Sequence, residues 1–346
     1  SFWSSLRNIL TKTVSERQLI LSSIMGKSEG LKVVGICEDM KNYHLEIVRV
    51  TEAGAISAAE WVGRGSKTKA DQAATEAMRD RLNQIDFRAE IAIGEGVKDD
   101  SYGLYEGEIV GAQKRLADGF NYSIAVDPIE GTTPTVKGGY EAMSVMAVAE
   151  YGSLYKTERF YMNKLAVGPD IGNLVNINNP ASANVGIVAA ALGKSPKHVT
   201  VCVLDRPRSQ PLVDELREIG CRIKFISDCD VTACIAACEP ESGIDMYWSV
   251  GGAPEAVIAA AAMKCMGGFM QCQLWDKVEG EVIQVDDKIL EISDLVRGEC
   301  MFAATGITDG KLLQGVRFTK RGAVTHSIAM RSGSGTIREV HTRHGN

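Results

Sequence analysis

Ile124-Ala125-Val126-Asp127-Pro128-Ile129-Glu130-Gly131-Thr132 is the stretch on which the reading of this chain turns. Ile124 to Val126 form an apolar, β-prone run and predict a buried strand. Asp127 stands at its end, where Pro128, lacking an N–H, is expected to stop the ladder. Glu130 follows three residues later, so a tight turn aims both carboxylates at one point. Gly131 relaxes the backbone, and Thr132 supplies a hydroxyl where a helix can begin. Two hard oxygen ligands beside an open N–H and a hydroxyl suit Mg²⁺ or Mn²⁺ bridged to a phosphate. Alone, the segment also reads as an acidic strand-to-helix turn with a capping threonine.

Two acidic clusters upstream shift that balance. Gly65-Ser66-Lys67-Thr68-Lys69-Ala70-Asp71 is a Gly-led turn entering a helix, whose apolar stripe is Ala74, Ala77, Met78 and Leu82. Asp71 sits near the helix start, where a carboxylate complements the dipole. Gly94-Glu95-Gly96-Val97-Lys98-Asp99-Asp100 follows the alternating run Arg88 to Ile93. Two glycines around one carboxylate permit close approach of a metal or phosphate. A first-turn acid and a glycine-rich surface turn are the plain alternatives. Three acidic element ends so close in sequence favour a multi-metal phosphatase.

Lys67 with Asp71, Gly94-Glu95-Gly96, Asp127 to Thr132, Asp205-Arg206-Pro207-Arg208, Ser227-Asp228-Cys229-Asp230 and Gly251-Gly252-Ala253-Pro254-Glu255 occur in one order. That order and spacing resemble class II, GlpX-type fructose-1,6-bisphosphatase. The type includes the dual fructose-1,6-/sedoheptulose-1,7-bisphosphatases of cyanobacteria. The resemblance runs from about Tyr43 to about His341. It implies hydrolysis of the 1-phosphate of one or both sugar bisphosphates and a layered αβαβα sugar-phosphatase fold. It implies a homo-oligomer, a dimer or tetramer, in which residues 273–301 help subunits pack. It also implies Asp71, Glu95, Asp127, Glu130 and Glu255 as ligands of two or three Mg²⁺ or Mn²⁺ ions. Asp99 and Thr132 would orient or deprotonate the attacking water, and Lys67 would neutralise phosphate charge. Glu130, Gly131 and Thr132 would touch substrate. So would Tyr161, Arg206, Pro207, Arg208, Asp228, Asp230 and Gly252.

The residues support part of this independently. Ligands of open α/β sheets bind at the carboxyl ends of strands. Arg206 and Arg208 follow the strand Val199–Leu204 and can grip a phosphate with planar forks. Asp228 and Asp230 end the next strand and can accept sugar hydroxyls. Gly251, Gly252 and Glu255 end a third, with Pro254 suited to a first helical turn. Tyr161, judged by sequence alone, reads more readily as a core aromatic than as a substrate contact.

The expected class is α/β: an α+β metal-binding unit over 43–195 and a doubly wound α/β unit over 196–346. The first predicts a helix at Thr51–Trp61, then strands around Arg88, Tyr122, Ala142 and Asn184. The second alternates strands at 199–204, 222–226 and 245–250 with helices at 211–219, 231–237 and 254–266. Residues 1–42 form an extension. There Arg7, Lys12, Arg17, Lys27 and Lys32 outnumber Glu16 and Glu29, and Leu6, Ile9, Leu10, Val14, Leu19 and Ile20 can line one helix face. This pattern resembles the remnant of an organelle presequence, for plastid stroma or mitochondrion, or a segment that docks on a partner or on its own domain. Without it, a soluble cytoplasmic protein is expected. A net charge of −6 argues against nucleic-acid binding, and no apolar run reaches membrane-spanning length. The nine cysteines lack zinc spacing and read as mostly buried thiols.

Several positions depart from the family pattern. Val97 stands where a second acid is usual, Thr133-Pro134-Thr135 follows the acidic loop, Gly139 replaces a Gln, and Ser209 replaces a His. The 273–301 segment is short. Such losses also fit a degenerate member kept as a structural subunit of a larger assembly. A phosphatase of another small phosphorylated metabolite is the remaining alternative, against which Arg206-Pro207-Arg208 and Gly251–Glu255 argue.

Overall fold

A computed structural model describes residues 43–94, 96, 102–112 and 119–345. The extension 1–42 and the site candidates Glu95 and Asp99 lie outside these, as does Val97. The described chain opens with α1 (His44–Ala59) and α2 (Lys67–Leu82), which pair across Ile47, Val48, Ala55, Ala70, Ala74 and Met78. Helix α1 therefore starts about two turns before the expected Thr51, because Ile47 and Val48 already supply the buried stripe.

Next come β1 (Ala89–Ile93), β2 (Ile109–Val110), β3 (Tyr122–Glu130), α3 (Thr132–Lys137), β4 (Met143–Glu150), β5 (Tyr161–Val167) and α4 (Ala181–Ala191). Asn184, expected in a strand, lies in α4. Pro180 precedes a run of small helix formers, and Val185 and Val188 face the core at helical spacing. The buried Asn184 amide donates to the Asn176 carbonyl (2.8 Å) while its oxygen accepts the Asn176 N–H (3.1 Å). Then follow β6 (Thr200–Leu204), α5 (Gln210–Ile219), β7 (Arg222–Ile226), α6 (Asp230–Ala236), β8 (Met246–Gly252) and α7 (Ala253–Met266). The chain ends with β9 (Phe269–Val278), β10 (Glu281–Gln284), β11 (Leu290–Glu291), α8 (Ile292–Leu295), β12 (Cys300–Gly306), β13 (Arg317–Thr319), β14 (Gly322–Arg331) and β15 (Thr336–His344).

The strands form two sheets. The first runs β13-β14-β12-β4-β3-β1-β2, with β15 also on β14, and only β1 and β3 are parallel. The second runs β10-β9-β5-β8-β6-β7, with β11 on β9. The doubly wound part is β7, β6 and β8, all parallel; β5, β9, β10 and β11 extend it antiparallel. Residue 196 does not separate the sheets, because β5 belongs to the second and β12 to β15 return to the first.

Five layers result, giving the α/β class. Helices α1 and α2 cover one face of the first sheet. Helix α7 is apolar on every side, as its alanine-rich sequence requires, and is buried between the sheets with α6 and α8. Helices α4 and α5 cover the outer face of the second sheet. The two-residue period of β5 distributes its side chains accordingly. Met162 and Ala166 face α7, while Leu165 and Val167 face α4 and α5. The described cysteines are unpaired, and all but Cys221 are buried. No described helix is long and apolar enough to cross a membrane.

Phe302 on β12 is 1% exposed against α7, whereas Phe318 on β13 is 51% exposed. Phe302→Ala is expected to lower unfolding free energy by about 3 to 5 kcal/mol in urea denaturation. Phe318→Ala should stay within about 0.5 kcal/mol of the parent.

Candidate metal and phosphate site

Pro128 does not end its strand. Asp127 pairs with Val145 and Glu130 with Met143, so three residue steps on β3 oppose two on β4. Pro128 and Ile129 fall in this bulge, where a missing donor costs no ladder hydrogen bond. A bulged strand, not a tight turn, therefore aims the two carboxylates. Asp127 Oδ1 accepts the Ile129 N–H at 3.0 Å, and Glu130 Oε1 accepts the Val231 N–H at 3.0 Å from the first turn of α6.

Glu255 comes from the first turn of α7, and its carboxylate lies within 4.8 Å of those of Asp127 and Glu130. Its Oε2 is buried without a hydrogen-bond partner. A Cβ at Gly252 would collide with that carboxylate, so the second Gly of the Gly-Gly pair makes room for it. Gly131 has φ +97°, and a Cβ there would stand 2.5 Å from Cys229 Sγ. Both glycines are thus fixed by close approach.

Burial, followed by Asp230, Asp127 and Glu255, raises the Glu130 carboxyl well above its ordinary range. Burial and then Asp230 raise Glu255, with Lys164 opposing. Like charges forced together inside a fold carry this signature, and a cation relieves it. Three hard oxygens with one orphaned lone-pair site suit a divalent cation that prefers oxygen.

Around this centre lie most of the other candidates. Asp71 occupies the second turn of α2, not the first. Its Oδ1 accepts the Thr132 hydroxyl at 3.1 Å, and burial raises its carboxyl against the pull of Thr132 and Lys67. Lys67 Nζ donates to Thr133 Oγ1 at 2.7 Å. Arg206 pairs with Asp228 at 3.3 Å. Pro207 begins a single 3₁₀ turn, Pro207–Ser209, that turns Arg208 back over the sheet. Arg208 Nε donates to the Val250 carbonyl at 2.9 Å, and its guanidinium sits 4.9 Å from the Tyr161 ring centre. Tyr161 is thereby a stacking partner of Arg208 at the start of β5.

Asp230, expected to meet sugar hydroxyls, is buried and ion-paired with Lys164, and the Tyr247 hydroxyl lies 3.4 Å away. Lys164 was not among the sequence candidates. The signal was present: Lys164 sits between Met162 and Ala166 on the inward face of a strand, a position that excludes solvent.

A second cluster, His326, Glu339 and His341, does not fit a metal. The His rings stack at 4.1 Å, and His326 Nδ1 accepts the Gln314 N–H at 3.1 Å. The proton therefore resides on Nε2, which faces Glu339 at 3.8 Å and has no lone pair for an ion.

Residues 41–344 match the family described as bacterial fructose-1,6-bisphosphatase, glpX-encoded. The chain is 41% identical over 329 residues to the D-fructose 1,6-bisphosphatase class 2/sedoheptulose 1,7-bisphosphatase of Crocosphaera subtropica, covering 87% of this chain and 95% of that protein. It is 40% identical over 328 residues to the protein of the same description from Synechococcus sp. strain JA-2-3B'a(2-13), covering 87% and 94%. By this match over most of its length, the chain belongs to the GlpX-type fructose-1,6-bisphosphatase family of sugar-bisphosphate phosphatases.

Proposed function

We propose that this chain hydrolyses the 1-phosphate of fructose 1,6-bisphosphate, sedoheptulose 1,7-bisphosphate or both. The observation that carries this reading is the group Asp127, Glu130 and Glu255 within 4.8 Å, with Glu255 Oε2 lacking a partner. These three, with Asp71 and Glu95, would hold Mg²⁺ or Mn²⁺. Bound there, such ions would supply positive charge toward the phosphoryl oxygens and activate water. Thr132, fixed by its hydrogen bond to Asp71, orients the attacking water, and Asp99 takes its proton. Lys67 adds charge at the helix start beside Thr133. Arg206 and Arg208 anchor the distal phosphate, with Tyr161 holding the Arg208 plane. Anchoring at both ends aligns the sugar and favours bisphosphates over monophosphates.

Phosphate release from both sugars, with Mg²⁺ and with Mn²⁺, tests the reading. Asp127→Asn is expected to lower kcat/KM by at least about a hundredfold, whereas inactivity of the parent chain on both sugars would defeat the enzyme assignment. Arg208→Ala should act differently, raising KM about tenfold or more with a smaller loss of kcat, as read from full saturation curves.

The site also predicts a stability change. A carboxyl whose pKa is higher folded than unfolded takes up protons on folding, so the metal-free fold loses stability as pH rises from the unfolded pKa toward the folded one. Glu255→Gln removes one such charge. In EDTA it should melt a few degrees above the parent near pH 8, with the gap closing near about pH 4, where the parent carboxyl is protonated in both states.

A further inference from the structure

Lys164 is the one residue of this centre to which no role has been given. It lies on β5, is 0% exposed, and spans two partners. Its ammonium pairs with Asp230 of α6 and donates to the Gly252 carbonyl at 2.8 Å, at the junction of β8 and α7 from which Glu255 projects. Gly251 completes the fit: a Cβ there would collide with the Asp230 carboxylate and stand 2.8 Å from Lys164 Nζ. Burial alone would lower the Lys164 pKa, but Asp230 and then Glu255 outweigh it, so the ammonium stays charged.

A buried ion pair is a poor way to gain stability, because desolvation offsets the attraction and apolar replacements of similar size often serve as well. The position of this pair suggests another role. Asp230, Asp127 and Glu255 all act on Glu130, Asp230 also acts on Glu255, and Lys164 is a buried cation that reaches Asp230 and Glu255. It takes one acid of the four. The other three are those whose oxygens lie within 4.8 Å of one another.

We propose that Lys164 is a positioning residue that divides the acidic cluster. By holding Asp230 beside the Gly252 carbonyl, it keeps Asp230 out of the cation's ligand set and leaves Asp127, Glu130 and Glu255 to hold the ion. This rests on the divalent-cation reading of the site. Without Lys164, Asp230 is a fourth free acid one residue from Val231, whose N–H binds Glu130.

Mn²⁺ binding to the full chain, followed by electron paramagnetic resonance alongside steady-state phosphate release, tests this. Lys164→Met is expected to bind Mn²⁺ about tenfold more tightly, because a repelling charge is lost and an acid is released, while kcat falls at least about tenfold. Tighter ion binding with slower turnover is not what simple loss of fold produces. In Lys164→Met/Asp230→Asn, which removes the pair without changing the net charge of the site, Mn²⁺ affinity should return to within about threefold of the parent. Weaker Mn²⁺ binding in either variant would make the pair part of the ion's own support and overturn the proposal. Unchanged affinity and turnover in Lys164→Met would overturn it too. If both variants fail to fold, the pair holds the fold and the proposal falls. A parent chain that binds no Mn²⁺ defeats the cation reading itself, a result distinct from any of these.

Discussion

Like charge held close inside a protein is the constraint around which this molecule is arranged. Asp127 and Glu130 come from the first sheet, Asp230 from α6 and Glu255 from α7. Each stands where solvent cannot screen it well, so the carboxyls of Glu130 and Glu255 are raised. Such a cluster costs folding free energy unless positive charge enters it. Lys164 supplies one unit from within, and the three carboxylates left over define where more must come from. The glycines at 131, 251 and 252 follow from the same crowding, since each leaves space that a Cβ would fill. The bulge in β3 follows as well, because a regular strand would turn Asp127 and Glu130 to opposite faces.

Among the described positions that depart from the family pattern, Ser209, Gly139 and Thr133-Pro134-Thr135 find local partners. Ser209, in place of a His, is buried and its hydroxyl lies 3.2 Å from that of Ser249. Gly139 donates its N–H to the Pro134 carbonyl at 2.7 Å, and a Cβ at 139 would stand 3.1 Å from Pro134. A glycine at 139 and a proline at 134 therefore fit one another, and α3 closes with Thr135 buried and bonded to the Gly131 carbonyl at 2.9 Å. Gly139 and Thr133-Pro134-Thr135 thus read as one repacked turn, while Ser209 is accommodated separately beside Ser249.

The acidic element ends were legible because their chemistry is local. Asp127, Glu130 and Thr132 lie in nine residues, and Pro254 and Glu255 mark a helix start that the structure keeps. What was not legible depended on partners far along the chain. The ladder to β4 decides whether Pro128 ends a strand or sits in a bulge, and that register is invisible in residues 124–132 alone. Asn184 looked like strand because its role, holding the loop at Asn176, is tertiary. Lys164 was not singled out because its partners, Asp230 and Gly252, which make a buried ammonium tolerable, lie far along the chain. The exchange of strands across residue 196 escaped for a similar reason: β12 to β15 pair with elements more than a hundred residues earlier or with one another.

The alanine-rich α7 lies against both sheets and also carries Glu255 to the carboxylates of β3. An ion seated there would join residues of the first sheet to the helix on which the second is built. Neither sheet could then come apart without releasing the ion, so ion release and unfolding become a single thermodynamic event. Amide protons deep in either sheet, far from any carboxylate, would exchange more slowly as cation concentration rises. An ion held there would double as a rivet through the middle of the molecule, and a cell short of it would lose the protein's rigidity together with its chemistry.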